Sequence, residues 1–203
     1  MTFLRVFDIL LRRTYLVIST GYPLKKPAKK KLIEIAKNIR LVILDVDGVL
    51  TDGSIILDNE GNEIKSFHVR DGHGVKMLIR AGIQVALITG RHSKVVERRA
   101  RELSITEVFQ KCQDKRKAYR QLSEKYSIDD SEAAFIGDDI VDIPLLLSVG
   151  LPIVVADADD SVKSRALMVT KKAGGRGAVR EVSDFILKAQ GHWQKILDGY
   201  LET

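Results

Sequence analysis

After residue 40 the chain alternates apolar runs with amphipathic stretches, and that alternation leaves little choice of architecture. The apolar runs lie at 41–46, 84–89, 107–110, 133–137 and 153–156, with a short one near 167–170. Helical patterning falls between them, at 74–81, 94–103, 115–126, 140–149 and 161–165. A closing helix begins near Gly177 and continues through Val179, Val182, Ile186 and Leu187. Strands buried on both faces read as continuous apolar runs, and parallel strands need helical crossovers between them. The pattern therefore predicts an α/β fold, a three-layer Rossmann-like parallel sheet with its ligand crevice outside the carboxyl ends of the strands. One segment departs from the rhythm. Ile55-Ile56-Leu57, a turn-forming stretch at 58–62 and the run 64–69 predict a β-hairpin flap beside the first strand.

The net charge of +6 belongs to one end of the chain. Residues 1–40 hold ten of the 33 Lys/Arg and two of the 27 Asp/Glu, so residues 41–203 carry 23 basic and 25 acidic groups. A nucleic-acid-binding domain needs its basic face on the folded body, which this distribution argues against. A nucleic-acid or membrane-surface binder would rest on residues 1–40 alone. The segment 25–31, with five lysines, reads as a solvated linker. Residues 1–34 are expected to form a basic extension, residues 35–190 the folded domain and residues 191–203 a C-terminal tail. The uncharged run 14–23 is too short to span a bilayer and too polar for a signal core. Cys112 is the only cysteine, which excludes an intrachain disulfide and fits a reducing, cytoplasmic compartment.

Chemistry-bearing residues collect where the strands end. The first run ends in Asp45-Val46-Asp47-Gly48, the second in Thr89-Gly90-Arg91 and the fourth in Gly137-Asp138-Asp139, while Lys115 opens the helix after the third. A buried strand has no structural need of carboxylates at its end, so Asp45 and Asp47 point to reactivity. A nucleophilic carboxylate, a hydroxyl, an ammonium and further carboxylates at one rim suit phosphoryl transfer through an aspartyl-phosphate. A shell of carboxylate, carbonyl and water oxygens suits Mg²⁺.

These four pieces, Asp45-x-Asp47-Gly48, Thr89-Gly90-Arg91, Lys115 and Gly137-Asp138-Asp139-x-x-Asp142, resemble the haloacid dehalogenase superfamily of phosphohydrolases in order and spacing. The stretches 46–53, 67–74 and 174–181 narrow the resemblance to the 3-deoxy-D-manno-octulosonate 8-phosphate phosphatases, over roughly residues 35–190. The resemblance implies a capless, Mg²⁺-dependent homotetramer that makes the inner sugar of lipopolysaccharide. It implies that Asp45 attacks phosphorus and that Asp47 protonates the leaving alcohol, then activates water. Thr89 and Lys115 would hold the phosphoryl oxygens. Asp45, the backbone carbonyl of Asp47 and Asp138 would hold Mg²⁺, and Asp139 and Asp142 suit an outer metal shell or a helix cap equally. Only a hairpin and one helix separate Asp45 from Thr89, and one helix separates Thr89 from Lys115, which leaves no room for a cap domain. An uncapped site calls for neighbouring subunits to cover it.

The implied substrate is an anionic sugar acid. Asp47 and Lys115 contact it at the phosphoryl end. His68, Val69, Arg70, Asp71 and Gly72 follow the hairpin into the site, with Arg70 as an anion contact. Arg91 can pair an anion bidentately. Lys76 and Arg99 leave the same rim on helices, as substrate contacts or as a solvated face alike. Arg176, between glycines, is the candidate contact in trans. The alternatives are the same chemistry on a nonulosonate 9-phosphate, or a non-enzymatic regulatory subunit.

Overall fold

The computed structural model describes residues 24 and 26–202. The expectations for residues 1–23 lie outside the described residues. The chain forms α1 (Lys29–Ala36), β1 (Leu41–Leu44), a hairpin of β2 (Ile56–Leu57) and β3 (Glu63–Ile64), and α2 (Val69–Arg80). It continues through β4 (Gln84–Ile88), α3 (Lys94–Leu103), β5 (Glu107–Phe109), α4 (Lys115–Tyr126) and β6 (Ala133–Gly137). Last come α5 (Ile143–Leu146), β7 (Leu151–Val154), α6 (Asp160–Lys163), β8 (Met168–Val169), α7 (Ala178–Ala189) and α8 (Trp193–Leu201).

Six strands form one parallel sheet in the order β5-β4-β1-β6-β7-β8. Leu41 pairs with Gln84 on one side and Ala133 on the other, so β1 is central and buried along its whole length. The chain leaves β1 toward β4 first and returns to its other side only at β6. That reversal opens a crevice at the carboxyl end of β1. Crossovers between parallel strands are right-handed as a rule, which sets the helices of this strand order on both faces. On one face α2 packs on α7, α1 on α7 and α3 on α2; α4 and α5 pack together on the other. The three-layer α/β fold is as the sequence predicts, and no cap interrupts it.

Several boundaries differ from the sequence reading, each for a local reason. α2 begins five residues earlier than predicted because two glycines argue against a helix there. Packing overrides that preference. A Cβ on Gly74 would lie 2.8 Å from the Ser183 hydroxyl and 3.2 Å from the Arg180 backbone, so close approach of α2 and α7 requires glycine at this position. β7 begins two residues early, at Leu151, and contains Pro152. Prolines are usually confined to edges because they cannot donate to a ladder. Here the Pro152 carbonyl faces the β8 side, accepting from Leu167 N at 3.0 Å, and ladder pairing with β8 begins only at Ile153. The stretch 140–149 is a short 3-10 turn, Ile140–Asp142, followed by one turn of α-helix.

The lysine-rich stretch is only partly a linker. Lys29–Lys31 open α1, whose Ala36 is buried and whose Leu32 and Ile35 pack against the core. Gln190 closes α7 by donating to the carbonyls of Ala36 and Ile39 at 3.0 and 2.8 Å. α1 therefore crosses the boundary expected at residue 34. The tail is helical, and Tyr200 Oη lies 2.6 Å from His73 Nε2. Among the described residues no helix is long and apolar enough to cross a membrane.

Candidate active site

β1 delivers Asp45 to the crevice by continuing its ladder one step, with Asp45 N donating to Ile136 O at 3.0 Å. The chain then turns tightly, as the amides of Val49, Leu50 and Thr51 all donate to the Val46 carbonyl. Gly48 at φ +85° permits this turn, in a region that other residues enter only with strain. Asp45 is buried. One of its oxygens accepts from Val46 N at 2.7 Å, and the other pairs with Lys115 Nζ at 2.8 Å.

Lys115 stands in the first turn of α4, which Asp114 caps by accepting from Arg116 N at 3.1 Å. Its ammonium also meets Asp142 Oδ1 at 2.6 Å. Burial opposes that charge, yet Asp45 and Asp142 outweigh it and raise the Lys115 pKa. Asp142 is fully buried and spends its second oxygen on the backbone amides of Asp138 and Asp139, at 2.9 and 3.3 Å. Asp139 instead caps the 3-10 turn through Ile140 N. Asp139 is a cap, and Asp142 completes that capping box through Asp139 N while also bracing Lys115 and the loop that carries Asp138.

Asp45, Asp138 and Asp142 offer oxygens that all lie within 4.8 Å of one another. Burial, with Asp142 adding repulsion, raises Asp45 to about 6. Burial, then the charges of Asp45 and Asp142, raises Asp138 to about 7. Three carboxylates crowded into a low-dielectric pocket in this way fit a divalent cation with hard oxygen ligands. The cradle is closed on its other side by Gly48, where a Cβ would lie 2.0 Å from Asp138 Oδ2. The Asp47 side chain stands outside the cluster, which leaves only its backbone carbonyl for a metal. Thr89 is buried at the end of β4, with its hydroxyl 3.4 Å from Arg91 N.

The Asp47 carboxylate turns toward the hairpin. Lys65 Nζ pairs with its Oδ1, and Arg91 Nε lies 3.9 Å from its Oδ2. Sequence reasoning missed Lys65 and its neighbour Glu63. The available signal was their i, i+2 spacing, which puts both on one strand face.

The remaining expected substrate residues divide. His68 precedes α2 without a side-chain capping bond, and Val69 and Arg70, the first residues of that helix, are exposed. Asp71 is buried and accepts from Gly177 N and Arg180 N at 3.1 and 2.7 Å, so it caps α7 instead of facing a ligand. Burial pushes its carboxyl up, against those hydrogen bonds. Gly72 is likewise enclosed, since a Cβ there would lie 2.3 Å from Arg99 Nη2. Arg99 lies over the Phe67 ring at 5.7 Å and pairs with Glu102, and Lys76 is half-buried on α2. Arg176 is exposed and pairs with Asp52 of its own chain at 3.1 Å. The turn carrying it braces the loop that follows β1. Gly175 N donates to Val49 O at 2.9 Å, Gly174 N to Asp157 Oδ1 at 2.9 Å, and a Cβ on Gly174 would stand 1.7 Å from Gly48 O.

Known proteins share this fold. The haloacid dehalogenase-like hydrolase family matches residues 100–182. The 3-deoxy-D-manno-octulosonate 8-phosphate phosphatase of Escherichia coli is 49% identical over 165 residues, covering 81% of this chain and 88% of its own length. The crystal structure of the Yersinia pestis phosphatase of that name is 47% identical at a TM-score of 0.81, covering 83% of this chain and 91% of the other. A Moraxella catarrhalis counterpart, solved in complex with magnesium ion, phosphate ion and a KDO molecule, is 40% identical at a TM-score of 0.83 and covers 85% of this chain and 99% of the other. The chain belongs to the 3-deoxy-D-manno-octulosonate 8-phosphate phosphatase family of haloacid dehalogenase-like hydrolases.

Proposed function

We propose that this chain hydrolyses 3-deoxy-D-manno-octulosonate 8-phosphate to the free sugar acid and phosphate, supplying the inner sugar of lipopolysaccharide. The observation that carries the mechanism is the buried Asp45–Lys115–Asp142 chain beside Asp138. Asp45 attacks phosphorus, the bond from phosphorus to the sugar oxygen breaks, and Asp47 gives that oxygen its proton. Asp47 then takes a proton from the water that attacks the aspartyl-phosphate, which frees phosphate and restores Asp45. Lys115, fixed by its two carboxylates, and the Thr89 hydroxyl hold the phosphoryl oxygens. Asp45, Asp138 and the Asp47 carbonyl would hold Mg²⁺, which when bound offsets repulsion between the carboxylates and the phosphoryl group. A panel of sugar-acid phosphates, assayed with Mg²⁺ and with chelator, tests this. The 8-phosphate should give the highest kcat/KM and chelator should abolish turnover; preference for a nonulosonate 9-phosphate would reassign the substrate.

The assembly is part of the proposal. Ile55, Ile56, Leu57 and Ile64 of the hairpin are 44–62% exposed, an apolar patch that a homotetramer would bury while covering the open site. A soluble cytoplasmic enzyme with a lone unpaired cysteine fits the same reading. In that assembly Arg176 reaches the substrate carboxylate of a neighbouring subunit. Sedimentation should give four times the 22.7 kDa chain mass. Arg176→Ala should lower kcat/KM for the sugar acid about tenfold, the worth of one charged hydrogen bond, and spare a small phosphate ester. A monomer, or equal losses on both esters, would count against it.

A further inference from the structure

The hairpin is built inside out. Its apolar residues Ile56, Leu57 and Ile64 are 44–59% exposed, whereas the side chain of Lys65 is only 1% exposed. Burying an ammonium costs several kcal/mol unless it is paired, so its partners decide what it is for. Lys65 meets Asp47 Oδ1 and, at 3.2 Å, Glu63 Oε1. Glu63 in turn accepts from Arg91 Nη2 at 2.9 Å and from the Ser93 hydroxyl. Arg91 closes the circuit on Asp47 Oδ2 at 3.9 Å. Two acids and two cations from the catalytic loop, the hairpin and the β4 exit thus form one closed ring of ion pairs.

We propose that Lys65 is a positioning residue for the acid–base step: it ties the hairpin to Asp47 and holds that carboxylate on the leaving-group side, apart from the metal cluster. This rests on the phosphatase reading above. The geometry supports a division of labour. Asp45, two residues away, belongs to the cluster with Asp138 and Asp142, while the Asp47 carboxylate is drawn out of that cluster by a group that the protein has buried at a cost. Glu63 and Ser93 fix the ammonium in turn, so the placement of Asp47 is set from outside its own loop. A carboxylate free to swing would deliver its proton less often to the departing alcohol.

The test separates positioning from general support of the fold. A sugar phosphate expels an alkoxide that needs a proton, whereas p-nitrophenyl phosphate expels a phenolate that leaves without one. Values of kcat/KM report the steps through departure of that first product. Lys65→Met should lower kcat/KM for the 8-phosphate on the order of 10²-fold, and for p-nitrophenyl phosphate by less than about threefold, because general-acid help is lost only where it is needed. Lys65→Arg should recover most of the loss. Lys65→Gln, which keeps a neutral donor and most of the length, should give an intermediate loss with the same selectivity and guards against a misfolded methionine variant. Equal losses on both esters, or none on either, would overturn the positioning role. A wild-type enzyme silent on both esters would instead overturn the phosphatase reading and this inference with it.

Discussion

Asp45→Asn is expected to reduce phosphate release on the order of 10⁴-fold or more, as removal of a covalent nucleophile does elsewhere, with the fold retained. The fold should survive because asparagine has nearly the same shape and its amide oxygen can still accept from Val46 N, now at 2.7 Å. The ionised carboxylate is also the costlier group to bury here, since burial raises Asp45 to about 6. Lys115 would lose a partner at 2.8 Å but keep Asp142 at 2.6 Å. Phosphate release measured beside a thermal melt decides the matter. Undiminished turnover in a folded variant would eliminate Asp45 as the nucleophile.

Gly48→Ala should cost less but still heavily, for a different reason, and Gly61→Ala is its control. Both glycines have positive φ, +85° and +81°, so each substitution carries a backbone strain of about 1–2 kcal/mol. Nothing lies within 4 Å of a Cβ on Gly61, whereas one on Gly48 would stand 2.0 Å from Asp138 Oδ2. Asp138 would have to swing away from Asp45, dispersing the oxygens that a cation needs close together. Displacing a reacting group by an ångström costs about 10²-fold in rate. Gly48→Ala should therefore lose about that much and need more Mg²⁺ for half-maximal activity, while Gly61→Ala keeps wild-type rates. A Mg²⁺ titration of both variants checks this, and matching curves would remove the steric argument.

The sheet was legible because burial on both faces writes itself as unbroken apolar runs, as in β1 and β6. The core of the site was legible for the opposite reason: Asp45, Asp47, Thr89 and Asp138 are polar groups at the ends of strands with no other use for them, and Lys115 opens the helix that follows another. Contacts between distant segments were not legible. Asp71 carries a charge and sits near the site in sequence, yet its backbone partners are Gly177 and Arg180, more than a hundred residues on. Lys65 pairs across 18 residues with Asp47 and lies on the polar side of a hairpin whose inward face no periodicity reveals. Asp142 could be placed as a cap or a metal neighbour from its spacing. Only the fold shows that it spends one oxygen on Lys115 and the other on the Asp138 loop. Gly72 and Gly74 misled the reading of α2 because their value lies in what approaches them, Arg99 and α7.

The glycine turn at 174–175 presses on Gly48 and Thr51, and it is made long after every acid and base it supports. During synthesis the chain emerges amino end first, so the carboxylates, the hydroxyl and the lysine are all in hand before their brace exists. A nascent chain that ends at β8 already carries Asp45, Asp47, Thr89, Lys115 and Asp138, with the loop after β1 unsupported. Placing the wedge last makes the working site a property of the finished polypeptide, and a shortened translation product would own every reactive group without the means to aim them.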